Sequence, residues 1–173
     1  YPEAKRVTET LCKAFFEEYE VPCKVARLTQ CFGAGVNLDE DRRVFADFAQ
    51  KASRGLPIVM HTYGDTYRSY IYTSDAIRAI FFILLVGRDG EVYNVANSST
   101  YCSIRQMADN LSNLCNTTVQ VRLDAEAAKK YCKTNKINLD TSKLEELGWV
   151  PKISLAESFQ RMIRGYNEIM TKM

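Results

Sequence analysis

The strongest constraint on this chain is an apolar periodicity that switches back and forth along its whole length. Apolar residues recur at three- and four-residue steps in some segments. Short runs of β-branched and aromatic residues separate those segments. The first helical stripe is Ala4, Val7, Leu11, Ala14 and Phe15. It predicts a helix over 2–19, with Pro2 in the first turn and Pro22 beyond the end. Val44, Phe45, Phe48, Ala49 and Ala52 predict a helix over 44–53 that Gly55 ends. Ser74 or Asp75 can cap a helix running to Val86. Ser103 caps 104–114, with Ile104, Met107, Ala108 and Leu111 facing inward. Segment 140–147, closed by Gly148, and segment 154–170 complete the helices. Between them, 24–32, 57–61, 70–72, 91–96 and 118–123 read as strands. Strand and helix alternating in this way predict an α/β fold with parallel pairing.

Charge excludes some function classes. With 23 basic against 21 acidic residues and a net charge of +2, the chain has no bias toward a nucleic-acid groove or a membrane surface. The longest apolar run, 79–86, is far too short to span a bilayer. Cys12, Cys23, Cys31, Cys102, Cys115 and Cys132 include no C-x-x-C pair, and His61 is the single histidine. These are expected to be reduced thiols in a cytoplasmic protein, without a metal site. No G-x-G-x-x-G loop occurs, although an α/β dinucleotide-binding enzyme needs one at its first strand–helix turn. The chain also opens inside a helix with no strand before it. Both features predict that an N-terminal cofactor-binding half of the same polypeptide is absent.

Tyr1 and Lys5 form a Y-x-x-x-K pair, and positions i and i+4 share a helix face. A phenol, with an ordinary pKa of about 10, is a poor base near neutrality; a neighbouring ammonium favours its charged form. A tyrosine so placed can take a proton from a sugar hydroxyl. Chance also produces this spacing, so its meaning depends on the downstream segments. The helix leads into Arg27-Leu28-Thr29-Gln30-Cys31-Phe32-Gly33-Ala34-Gly35. Then come Gly64-Asp65-Thr66-Tyr67-Arg68-Ser69-Tyr70-Ile71-Tyr72-Thr73-Ser74-Asp75, Tyr93-Asn94-Val95-Ala96 and Asp140-Thr141-Ser142-Lys143-Leu144. Leu147-Gly148-Trp149-Val150-Pro151 stands near the end.

In that order these motifs resemble the NAD-dependent epimerase/dehydratase family of extended short-chain dehydrogenases, over essentially the whole chain. The resemblance implies the C-terminal portion of a Rossmann-type parallel sheet plus a small α/β substrate-binding subdomain. Residues 1–56 and parts of 70–96 would complete the nucleotide-binding fold, and the remainder would form the substrate subdomain. It implies NAD as cofactor and a nucleoside-diphosphate sugar as substrate, oxidised at C4. The activities it points to are dTDP-glucose 4,6-dehydratase, nucleotide-sugar 4-epimerase and UDP-glucuronate decarboxylase. The alternative is a catalytically inactive sugar-nucleotide-binding or dimerisation fragment of such an enzyme.

By the same resemblance Tyr1 is the catalytic base, and Lys5 holds the nicotinamide ribose and assists it. The third catalytic residue, a serine or threonine, lies outside this chain. Gln30 takes the place of the family's asparagine beside cofactor and substrate, with Phe32 and Ala34 replacing a tyrosine and a proline. Arg68 contacts the substrate diphosphate, which suits a guanidinium fork. Arg27 is equally an ion pair at a strand end or a ligand. Asp75 is expected to cap the next helix and brace its loop, and Tyr93 to sit in the core. Asp140 and Lys143 would stabilise the C-terminal part, and His61 would be a satisfied structural residue. Tyr67, Tyr70 and Tyr72 would pack in a crowded turn. The resemblance also implies a homodimer through helix 2–19, with Leu11, Phe15 and Phe16 on its outer surface.

Overall fold

A computed structural model describes residues 1–128 and 135–170. Cys132 lies outside the described residues, and the other five cysteines are free thiols. Helix α1 (Pro2–Tyr19) ends at Glu20, which adopts a left-handed conformation and donates its N–H to Phe15 and Phe16 carbonyls. The expected single strand over 24–32 is two strands, β1 (Val25–Leu28) and β2 (Gln30–Phe32). Thr29 separates them. Its N–H still donates to the Val95 carbonyl (3.0 Å), while its hydroxyl donates to the Ser69 carbonyl (2.7 Å). The chain therefore leaves one sheet and enters another within a single residue.

Helix α2 (Val44–Ser53) and β3 (Ile58–Met60) follow, then β4 (Tyr67–Tyr72), α3 (Thr73–Val86) and β5 (Val92–Val95). A strand the periodicity does not predict comes next, β6 (Asn97–Ser103), before α4 (Ile104–Cys115) and β7 (Val119–Val121). Short α5 (Ala125–Ala128), β8 (Lys136–Ile137) and α6 (Ser142–Glu145) precede the last helix, α7 (Leu155–Met170). β1 pairs in parallel with β5, and β3 with β7. β4 carries β2 in parallel along 70–72 and β8 in parallel along 67–68. The antiparallel β6 takes its other edge.

Two apolar clusters hold these layers. In the larger, Phe45, Phe48, Ala49 and Ala52 of α2 meet Met107, Ala108 and Leu111 of α4, and Phe159 and Met162 of α7. Phe32 lies among them, stacked on Phe45 with centroids 4.7 Å apart and tilted against Phe159 at 4.9 Å. The expected inward faces of α2 and α4 are the observed ones. The Ser103 cap is a full capping box, with Gln106 answering it. The second cluster joins Ala76, Ala79 and Ile83 of α3 to Tyr93, Val95, Leu144 and Trp149. Among the described residues no helix is long and apolar enough to cross a membrane.

Helix α1 buries none of its residues. Its predicted stripe faces solvent, with Leu11 52% and Phe15 50% exposed. Glu9, Cys12 and Phe16 form the face that meets the body instead. Glu9 takes the Arg27 guanidinium in two hydrogen bonds (2.8 and 2.5 Å), and the Cys23 thiol donates to the Cys12 carbonyl (2.8 Å). Phe16 is therefore not on the outer surface with Leu11 and Phe15. It covers Gly90, where φ is +73° and a Cβ would collide with the ring.

Asp75 braces its loop as expected, but it does not cap α3. The N-cap is Tyr72, and Asp75 lies in the first turn, 1% exposed. Its carboxylate accepts from the backbone N–H groups of Lys152 (2.9 Å) and Ile153 (2.8 Å), and from Arg78 (2.5 Å). This fastens α3 to the segment that feeds α7. Asp75→Ala leaves two part-buried N–H donors and the Arg78 guanidinium without their buried carboxylate partner. It should lower unfolding stability by about 3–5 kcal/mol in urea titrations; a loss below about 1 kcal/mol would show that the brace carries no weight.

Candidate active site

Tyr1 stands at the N-cap of α1, 90% exposed. One helical turn on, the Lys5 N–H donates to the Tyr1 carbonyl (3.1 Å), and the Lys5 ammonium lies 5.4 Å from the centre of the Tyr1 ring. The i, i+4 pairing expected from the spacing is thus formed. It stands clear of the body of the molecule.

Gln30 and Arg68 lie on neighbouring strands. Gln30 opens β2 with Tyr70 as its register partner, and Arg68 sits two residues before Tyr70 on β4. Both are half-buried, and neither side chain has a hydrogen-bond or ion-pair partner among the described residues. Arg27, Arg43, Arg54, Arg78, Arg105 and Arg161 each face a carboxylate. Arg68, by contrast, has no carboxylate partner among the described residues. Burial pushes the neighbouring Tyr70 phenol well above its ordinary pKa. The Cys102 thiol adds to this rise and the Arg68 guanidinium opposes it. Burial also pushes the Cys102 thiol up to about 11.

The local backbone explains the position of Arg68. The β4–β6 register shifts between Arg68 and Tyr70. Thr100 spans the irregularity. Its hydroxyl accepts from the Tyr70 N–H (2.8 Å), and its single proton lies within reach of the Asn97 (2.6 Å) and Tyr70 (2.9 Å) carbonyls. No hydrogen bond, ion pair or ring contact joins Tyr1 or Lys5 to Gln30 or Arg68 among the described residues.

Other expectations resolve in various ways. Arg27 is an ion pair, and its guanidinium holds the Glu9 carboxyl below the usual carboxylate range. Tyr93 is 1% exposed, its hydroxyl accepting from the Arg88 N–H (2.8 Å). Asp140 accepts from the N–H (3.0 Å) and hydroxyl (2.6 Å) of Ser142, and Lys143 pairs with Glu91. His61 is half-buried, and its Nδ1 has no hydrogen-bond partner among the described residues, where a satisfied histidine was expected. Tyr70 and Tyr72 are buried. Tyr67 tilts against Tyr101 at 5.5 Å and carries the Lys136 ammonium 5.3 Å above its ring. No motif marks Lys136 in the sequence. It reaches this edge through the two-residue strand β8, whose only signal is its position before Asp140. Among the described residues no group of three or more metal-ligating side chains occurs.

The pair Tyr1 and Lys5 fits the nicotinamide end of NAD, a phenol beside an ammonium on one helix turn. The chain holds no glycine-rich loop for the pyrophosphate.

Comparison with known proteins fits this arrangement. The chain is 28% identical over 162 residues to UDP-glucuronic acid decarboxylase 3 of Arabidopsis thaliana, covering 94% of this chain and 46% of that protein. It is 24% identical to the human dTDP-D-glucose 4,6-dehydratase, covering 97% of this chain and 48% of that one. It therefore spans about half the length of these relatives. Its fold superposes on the UDP-glucose 4-epimerase of Thermotoga maritima, solved with UDP-glucose, with a TM-score of 0.81 at 24% identity, over 98% of this chain and 54% of that one. The dTDP-glucose 4,6-dehydratase of Streptomyces venezuelae, solved with NAD, superposes with a TM-score of 0.77 at 22% identity, over 99% of this chain and 52% of that one. These neighbours establish a Rossmann-like α/β fold. The sequence model of the NAD dependent epimerase/dehydratase family matches residues 1–96, more than half of the chain, and the chain belongs to that family.

Proposed function

We propose that this chain is the substrate-side half of a cytoplasmic enzyme that oxidises C4 of a nucleoside-diphosphate hexose, in the manner of a dTDP-glucose 4,6-dehydratase. The half-buried, uncompensated guanidinium of Arg68, one strand from the free amide of Gln30, carries this reading. A planar fork of donors at a partly dehydrated strand position fits two diphosphate oxygens. Gln30 both donates and accepts, which suits a sugar hydroxyl or a phosphate oxygen. NAD, when bound, supplies the hydride acceptor. Tyr1 removes the proton from the C4 hydroxyl, and the Lys5 ammonium beside it stabilises the resulting charge.

Relatives about twice this length support placing the activity in a longer polypeptide that adds the pyrophosphate-binding half. The 173 residues alone are then an inactive sugar-nucleotide-binding fragment. The outward stripe of Val7, Leu11 and Phe15 supports a homodimer formed through α1.

The deciding assay supplies the polypeptide from its full natural reading frame with NAD and, separately, dTDP-glucose, UDP-glucose or UDP-glucuronate, and follows products by NMR. Conversion of one of them is expected, and no NAD-linked turnover of any overturns the proposal. In that background Tyr1→Phe should lower kcat by about 10²–10⁴-fold. Arg68→Met should raise KM for the nucleotide sugar by about 10–100-fold, corresponding to the loss of one or two charge-assisted hydrogen bonds, with Arg68→Lys in between. The dimer is tested separately by sedimentation. Leu11→Glu with Phe15→Glu should convert a dimer to a monomer, whereas an unsubstituted protein that is already monomeric at high concentration contradicts the interface.

A further inference from the structure

Two cysteines that the proposed catalytic chemistry does not use meet where α1 rests on the sheet. Cys12 is in the third turn of α1. The left-handed Glu20 reverses the chain, and Val21 and Pro22 bring Cys23 back alongside the helix it has just left. The Cys23 thiol donates to the Cys12 carbonyl at 2.8 Å, which holds the Cys23 sulfur against the helix backbone at Cys12. Both residues are half-buried. They line one open groove of about 450 Å³ between α1 and the β1–β5 pair, together with Glu9, Lys13, Arg27 and Gly90. Small oxidants can therefore reach them, unlike the buried Cys102.

We propose that Cys12 and Cys23 form a dithiol site that low-molecular-weight disulfides of the glutathione type oxidise to an intramolecular disulfide, stapling α1 to the start of β1. Cys12 attacks one sulfur of the small disulfide and gives up its proton. The S–S bond of the reagent breaks and the first thiol leaves, carrying that proton. Cys23 then loses its proton and attacks the Cys12 sulfur, which expels the second thiol. The protein loses two hydrogens, and the reagent is reduced to two thiols. Burial pushes the Cys23 thiol above its ordinary pKa, which disfavours its thiolate and makes it the poorer candidate for the first attack.

The staple has a structural consequence because α1 has few other anchors. No residue of the helix is buried, and the Glu9–Arg27 ion pair and the Phe16–Gly90 contact are its other holds. The closed loop is short, so the crosslink acts chiefly on the helix it touches.

The test equilibrates the natural protein with glutathione redox buffers, then alkylates, digests and sequences it by mass spectrometry. A peptide pair joined through Cys12 and Cys23 is expected, with the loss of two hydrogens. Cys12→Ser and Cys23→Ser should each stop at a mixed glutathione disulfide or not react. Oxidation should slow amide exchange across 8–16 by at least about tenfold and leave α7 unchanged, and reduction should reverse this. Stable glutathione adducts on both wild-type cysteines, a disulfide through Cys31 instead, or unchanged exchange in α1 would each overturn the proposal. None of these outcomes depends on turnover of a nucleotide sugar, so this test and that of the proposed function fail independently.

Discussion

Thr29 belongs to two sheets at once, and the placement of the candidate site follows from that. Its N–H completes the β1–β5 ladder at Val95, and its hydroxyl reaches the Ser69 carbonyl on β4. Without the change of sheet, β1 and β2 would continue as one strand, and Gln30 would lie beyond β5 rather than opposite Tyr70. The apolar clusters do not follow this division: Ala26 and Cys31, on either side of Thr29, both pack with the α3 cluster, and Phe32 packs with α2 and α7. A backbone donor and a side-chain donor on one residue satisfy acceptors from both sheets. These two bonds are what make so abrupt a crossing tolerable.

Apart from the short α5, which was not expected from the sequence, the helices were legible because their apolar faces repeat with the helical period and their ends carry chemical signals. The Ser103–Gln106 capping box and the positive φ of Gly55 and Gly148 stand where the sequence placed the boundaries. The strands were legible only where they are apolar. β6 reads Asn97-Ser-Ser-Thr-Tyr-Cys-Ser103, and its buried positions Asn97, Thr100 and Ser103 are polar. They are buried because they bond backbone groups, a cause that hydropathy cannot register. The crossing at Thr29 was equally hidden. Val25 to Phe32 has the composition of one continuous strand, and only the competing partners Val95 and Tyr70 divide it.

The site shows the same division. Motif order singled out Arg68 and Gln30 as candidates, and the structure adds what motif order could not: among the described residues the Arg68 guanidinium has no carboxylate partner. The direction taken by α1 was not identifiable. Its apolar stripe was expected to carry an outer, dimer-forming surface that included Phe16, but Phe16 faces inward, and the helix rests on the sheet through an ion pair, a thiol and that ring. Amphipathic periodicity identifies a face that needs a partner without saying which partner covers it.

The base role proposed for Tyr1 requires such a partner to hold it. A catalytic group must be kept within a fraction of an ångström of its productive position by neighbours whose own conformations are fixed. Lys5 lies on the same helix turn, so it moves with Tyr1 and cannot hold it against the rest of the molecule. Glu9, Cys12 and Phe16 are one to four turns further along, and they fix the axis of α1 better than its N-terminal end. Arg68, by contrast, sits on β4, which β6, β8 and Thr100 tie from both sides, and Gln30 sits on β2, paired with β4. The proposed site, with Gln30 and Arg68 on these strands and Tyr1 on a lightly anchored helix end, therefore requires further structure that covers α1. The exposed stripe of Val7, Leu11 and Phe15 is the surface on which such cover would act.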